Sequence, residues 1–172
     1  MNLQVKGPRE QMKLTATQTI TFVCLALICS SVLMSEDFMY WESNFAPVVL
    51  ADLTTQSQIE SGSSNVTLFT NGDAEISADN TATAQLSYGT DSLVTEYRLT
   101  FSGDGSSATG GSTVDWTVYD SFLTTPAAVT HVPDDNDVVV TLYVRASNYA
   151  DDVADAGTYT ATQTLTAHWV GP

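Results

Sequence analysis

Positive charge is nearly absent from this chain of 172 residues. Lys6, Arg9 and Lys13 stand at its start, and beyond them come only Arg98 and Arg145, with no further lysine. From Asp52 to Pro172 two arginines face sixteen Asp or Glu, a net charge of −14. Such a surface repels phosphate, because nucleic-acid affinity comes from Lys and Arg displacing counterions, so nucleic acid is excluded as a partner. Stable docking on anionic lipid is disfavoured for the same reason. Cysteine is equally sparse. Cys24 and Cys29 both sit in an N-terminal apolar run, which leaves the remainder without a disulfide framework or a thiol nucleophile. Its stability must come from burial and strand pairing.

Catalytic chemistry has little to draw on. The only histidines are His131 and His168, no lysine follows Lys13, and no G-x-S-x-G nucleophile elbow occurs. Aspartates of the kind glycoside hydrolases pair are plentiful, but a two-layer domain of about 110 residues has little depth for a cleft. Gly103-Asp-Gly-Ser-Ser-Ala108 matches a dinucleotide fingerprint in letters only: Gly110-Gly111 and another strand pattern follow it, where a helix N-terminus would have to receive the pyrophosphate. It reads as a hairpin loop. The chain is expected not to be an enzyme and to need no cofactor.

What is present is apolar residue content of 43% with only 15% charged, against roughly 25% charged in an ordinary domain. That composition allows a real core and excludes a disordered polyelectrolyte. Residues 1–35 begin polar and positive, then run through Phe22-Val-Cys-Leu-Ala-Leu-Ile-Cys29 to Val32-Leu-Met34. A basic stretch before a short apolar one is the pattern of an export signal, with small residues for cleavage around Cys29-Ser-Ser31 or Ser35. The alternative is a retained anchor, although residues 20–34 as helix reach about 22 Å against the roughly 30 Å hydrocarbon core. A hydrophobic residue precedes each cysteine, Val23 and Ile28, which argues against lipid modification. Either route delivers the domain outside the cell or to its surface, so the membrane is a partner only during export.

Residues 36–64 read as an extended arm and linker, and residues 65–172 as the folded domain. In the latter, short β-favouring runs at 66–70, 74–78, 82–88, 93–101, 113–119, 128–132, 138–146 and 158–170 are cut by turn residues such as Asn71-Gly-Asp73 and Pro133-Asp-Asp-Asn-Asp137. Alternation supports this. Val138, Val140, Leu142 and Val144 share one face against Val139, Thr141, Tyr143 and Arg145. Near the C-terminus a threonine row from Thr158 to Thr166, ending in His168, alternates with Tyr159, Ala161, Gln163, Leu165, Ala167 and Trp169. Threonine suits the wet face of a strand, its branched Cβ favouring extended backbone. No helical apolar stripe follows residue 60. The expectation is an all-β, immunoglobulin-like antiparallel β-sandwich preceded by an N-terminal apolar signal helix.

Val139-Val-Thr-Leu-Tyr-Val144 followed by Ala156-Gly-Thr-Tyr-Thr-Ala-Thr-Gln-Thr-Leu-Thr166 resembles the last two strands of secreted, pilin-like β-sandwiches, in particular the spore-coat-U type of domain. The resemblance spans about thirty residues, and the chain departs from that family in having no cysteine in its folded part. It implies an exported structural subunit of a filament, pilus or surface coat, whose partners are copies of itself or other surface subunits. The alternative from another class is a secreted adhesion module that recognises glycan or calcium through acidic loops.

Three groups of residues are candidates for function. In the arm, Phe45, Val48, Val49, Leu50 and Leu53 form an apolar, extended-favouring segment that would complete the sheet of a neighbour; the same segment would also serve as the first strand of its own domain or as a loose stalk. Asp134, Asp135 and Asp137, with Asp151, Asp152 and Asp155, offer clustered loop oxygens of the kind calcium takes, although EF-hand spacing is absent. Asn65-Val-Thr67 is a glycosylation sequon in a cell that modifies exported asparagines.

Overall fold

A computed structural model describes residues 36–103, 107–150 and 153–172. The N-terminal segment read as an export signal lies outside them. Asp37 to Pro172 forms one compact unit. Its strands are β1 (Met39–Trp41), β2 (Ile59–Thr70), β3 (Asp73–Ala78), β4 (Ser87–Tyr88), β5 (Asp91–Ser92), β6 (Val94–Ser102), β7 (Gly110–Gly111), β8 (Val114–Val118), β9 (Ala127–Thr130), β10 (Asp137–Ser147) and β11 (Leu165–Gly171). Five of them make a sheet in the order β1-β2-β10-β6-β8, four make a second in the order β11-β3-β9-β7, and β4 pairs with β5. Every pairing is antiparallel. The described chain is thus all-β, and none of its helices is long and apolar enough to cross a membrane.

The alternation anticipated in β10 decides how the sheets meet. Val138 and Val140 are buried, and Leu142 and Val144 pack on the same core. Register carries that face sideways: Val138 stands opposite Leu68, Val140 opposite Val66, and Leu142 opposite Leu99. Ala74 and Ile76 of β3 and Ala127 and Val129 of β9 meet these residues from the second sheet. Burying one such aliphatic side chain contributes about 1.5–3 kcal/mol, so this shared layer is the main stabilising element.

The second sheet covers only part of the first. β3 follows β2 after the Asn71–Gly72 turn and ends at Ala78, so it lies over the end of the five-stranded sheet marked by Thr70 and Asp137. At the other end, near Ile59 and Ser147, irregular segments close the core. Tyr97 packs against Phe122 with ring centroids 5.5 Å apart and donates its hydroxyl to the Ala84 carbonyl at 2.7 Å. Phe122 and Leu123 come from the loop between β8 and β9, and Ala84 from a 3-10 turn, Ala82–Ala84. Burial of Tyr97 pushes its phenolic pKa up to about 12.

Three sequence expectations are corrected here. The sheet begins well before residue 65: β1 and the first half of β2 fall in the stretch read as arm and linker. Residues 82–88 form the 3-10 turn and two-residue β4 instead of one strand, because Gln85 caps that turn and Leu86 and Ser87 take separate partners in Leu93 and Thr160. The last strand starts at Leu165, not at 158. Residues 158–164 alternate in sequence but not in exposure, Ala161 being exposed between Thr160 and Thr162, and their backbone bonds go to the irregular stretch between β3 and β5: Thr160 exchanges with Ser87, Thr162 donates to Thr83, and Asp79 donates to Thr164.

Candidate functional site

Among the described residues, the longest strand, β2, is paired along one side only for most of its length. All of β10 pairs with β2, from Asp137 opposite Phe69 to Ser147 opposite Ile59. On the other side β1 reaches only Leu68, Phe69 and Thr70. One more bond, from the Glu42 amide to the Thr67 carbonyl at 2.9 Å, ends that contact. Consecutive residues of an antiparallel strand direct their N–H and C=O groups to opposite sides. Since the Thr67 carbonyl points toward β1, the backbone groups of Asn65, Ser63, Ser61 and Ile59 point the same way. The Thr70 amide bonds Asn136 on the β10 side, which fixes the even-numbered residues there. The border from Ile59 to Asn65 is therefore a row of backbone donors and acceptors with no strand beside it among the described residues. Ile59, Ser61, Ser63 and Asn65 are all exposed, and the border carries no lysine, proline or bulge of the kind that blunts edge pairing.

Phe45, Val48, Leu50 and Leu53 are half-buried in the same unit, while Val49 is 91% exposed. Phe45 lies edge-on to Trp41, with ring centroids 5.7 Å apart. A side chain at Gly62 would put its Cβ 2.5 Å from Val48 Cγ1 and 3.2 Å from Leu50 Cδ2, so the arm lies across the inner face of β2 at that glycine. The segment has no strand pairing among the described residues. It acts as a strap over its own sheet, anchored by Gln58, which accepts from the Thr54 amide at 2.8 Å and donates to the Asp52 carbonyl at 3.0 Å.

The opposite, outer face of the five-stranded sheet gathers the polar aromatic residues. Arg145 and Glu96 are cross-strand partners joined by two bonds, Nε to Oε2 at 2.7 Å and Nη2 to Oε1 at 3.0 Å. That hydrogen bonding raises the Arg145 pKa further above its already high value. The Arg145 guanidinium lies 4.6 Å over the Trp116 ring, Trp116 meets Tyr143 edge-on at 6.3 Å, and Arg98 lies 5.5 Å over Tyr143. Arg98 and Arg145 are the only Lys or Arg among the described residues, and both are on this face. Sequence reading placed Tyr143 and Arg145 on one face but missed Arg98 and Trp116 as their neighbours. The matching alternation of β6 was the available signal.

The acidic candidates do not converge. Asp135 accepts the Thr109 amide at 2.9 Å and its own carbonyl accepts the Thr109 hydroxyl. Asp134 is exposed with φ of 74°, the left-handed region, in a sharp turn, and Asp137 is exposed opposite Phe69. The amide of Asp155 donates to Asp91 at 3.1 Å, far along the chain from that turn. Asp151 and Asp152 lie outside the described residues. Among those described, no three His, Cys, Asp or Glu side chains come together as a metal site would require. Asn65 stands exposed in mid-strand on the outer face, opposite Thr141. His168 is exposed on β11, and His131 approaches Asn136 Oδ1 at 3.2 Å. Comparison with protein-family models, with curated proteins and with solved structures finds no match.

Proposed function

We propose that this chain is an exported structural subunit of an extracellular filament, pilus or surface coat, an immunoglobulin-like sandwich whose copies associate by adding a strand to a sheet edge. The observation that carries this reading is the border of β2 from Ile59 to Asn65, which no described strand pairs with. Strand addition needs a straight row of free backbone groups, and an edge left this long and uncharged is a template for it. Export follows from the basic-then-apolar N-terminal sequence. The strap at residues 45–53 covers its own sheet, which turns attention from the arm to the β2 border as the assembly surface. The covered ring faces of Trp116 and Tyr143 and the dispersed aspartates give the glycan and calcium alternatives no comparable observation.

Proline supplies the test, because it removes one N–H and is tolerated where that N–H faces away from the ladder. The Ser63 amide faces the open border, whereas the Ser64 amide faces β10. In the full-length chain, Ser63→Pro is expected to keep the melting transition and abolish polymers in sedimentation and negative-stain microscopy. Ser64→Pro is expected to lower stability by about 1–3 kcal/mol, because it removes a ladder bond to β10 and leaves the acceptor unmet. A Ser63→Pro chain that folds and polymerises like the parent would show that the border is not used.

A further inference from the structure

The outer face holds a cation that has no counter-ion among the described residues. Arg145 is held at both ends of its fork by Glu96, but Arg98 makes no ion pair with any described residue, and its Nε is buried without an acceptor. Arg98 as a whole is only half-buried, so it brings an uncompensated charge to the face, and a carboxylate is the planar acceptor that a guanidinium fork fits. Tyr143 beneath Arg98 fixes the plane of that fork. Serine and threonine hydroxyls flank it: register sets Ser63 beside Tyr143 and Thr100 opposite Thr141 on the same face.

We infer that the Arg98 face is a carboxylate-binding site occupied, in the assembly, by the turn at residues 134–137 of a second copy. The inference rests on the reading that copies associate. Charge complementarity selects the partner: with two arginines against sixteen acids from Asp52 onward, another copy presents a negative surface, and this face is where it meets a cation. An uncharged sugar is disfavoured, since the ring faces that would stack on it already carry guanidinium groups. Asp134 and Asp137 are exposed on that turn, and neither side chain is held by another described residue. Within one copy they cannot reach Arg98, because β10 runs six residues, about 20 Å, from Asp137 to the Tyr143 beside it. Donor and acceptor lie on separate patches of one copy, so each copy offers both halves of the contact to further copies, as a repeating heterologous joint requires.

A charge swap tests this in the full-length chain, with sedimentation as the readout and the melting transition as the folding control. Arg98→Glu is expected to raise the concentration needed for association at least about tenfold, and Asp134→Arg with Asp137→Arg to do the same. Combining all three changes in one chain is expected to restore it. Arg98→Gln, which keeps the size and removes the charge, serves if the reversal perturbs folding. Unchanged association of the Arg98 variants, where Ser63→Pro disperses the polymer, overturns this inference and leaves strand addition standing. A combined variant that stays dispersed overturns the acidic turn as the occupant. Lost binding to polygalacturonate with association intact assigns the site to an acidic glycan and overturns it as well. A parent chain that remains monomeric at every concentration overturns both readings.

Discussion

The two ends of the five-stranded sheet hide their inner faces by different means. At the Thr70 end, a second sheet lies over Leu68, Val138 and Val140, and each layer supplies apolar side chains at alternate positions. At the Ile59 end, the inner positions of β2 are Glu60, Gly62 and Ser64, and the apolar cover comes from the strap, the 3-10 turn and the loop carrying Phe122. The lesson is that one strand can be inside at both ends while only one end announces it. Regular cover writes a period of two into both partners; irregular cover lets one partner be small and polar.

The sharpest challenge to this comparison is to remove a large side chain from each cover. Phe122 and Ile76 are both fully buried. If the loop packs as tightly as the sheet, Phe122→Ala will cost about 3–5 kcal/mol in urea unfolding, at least matching Ile76→Ala at about 2–5. A Phe122→Ala cost under about 1 kcal/mol would make the loop a loose cover. A smaller effect reads the same end through pH. The folded Tyr97 holds its proton up to about pH 12 while the unfolded chain releases it from pH 10. Stability is thus complete below pH 10 and falls as pH rises toward 12, by about 2 kcal/mol. Unfolding midpoints at about pH 9 and pH 11.5 measure this, and Tyr97→Phe should flatten the slope. The smallest effect concerns the strap: Val48→Ala should cost about 1 kcal/mol, since the side chain is only half-buried. Amide exchange should then quicken near Gly62 and stay slow at Leu68.

Where two sheets meet, the sequence was readable. The alternation of 138–144 named the inner face of β10, and the strand patterns at 74–78, 93–101, 113–119 and 128–132 correspond to β3, β6, β8 and β9 within a residue or two. The border at Ile59–Asn65 was hidden because Ser61, Gly62, Ser63 and Ser64 resemble a linker: their inward side is filled by residues ten or more positions earlier. Residues 158–164 misled in the opposite direction, since the residue types alternate there while Ala161 stands exposed and no sheet is joined. Arg98 is plain in the sequence as a rare cation, but its lack of an acidic partner among the described residues depends on register, which places Glu96 opposite Arg145 and Tyr143 opposite Arg98.

The turn between β2 and β3 brings the first and last parts of the described unit together. The Phe38 amide donates to the Asn71 side chain at 2.8 Å, Asn71 returns a bond to the Phe38 carbonyl, and Gly171 stands opposite Asp73. Residues 37 and 172 can therefore be tied by a short tether and the chain reopened at the exposed Gly89 hairpin. The rearranged sequence would visit the same sheets in a rotated order, so connectivity is incidental to this architecture.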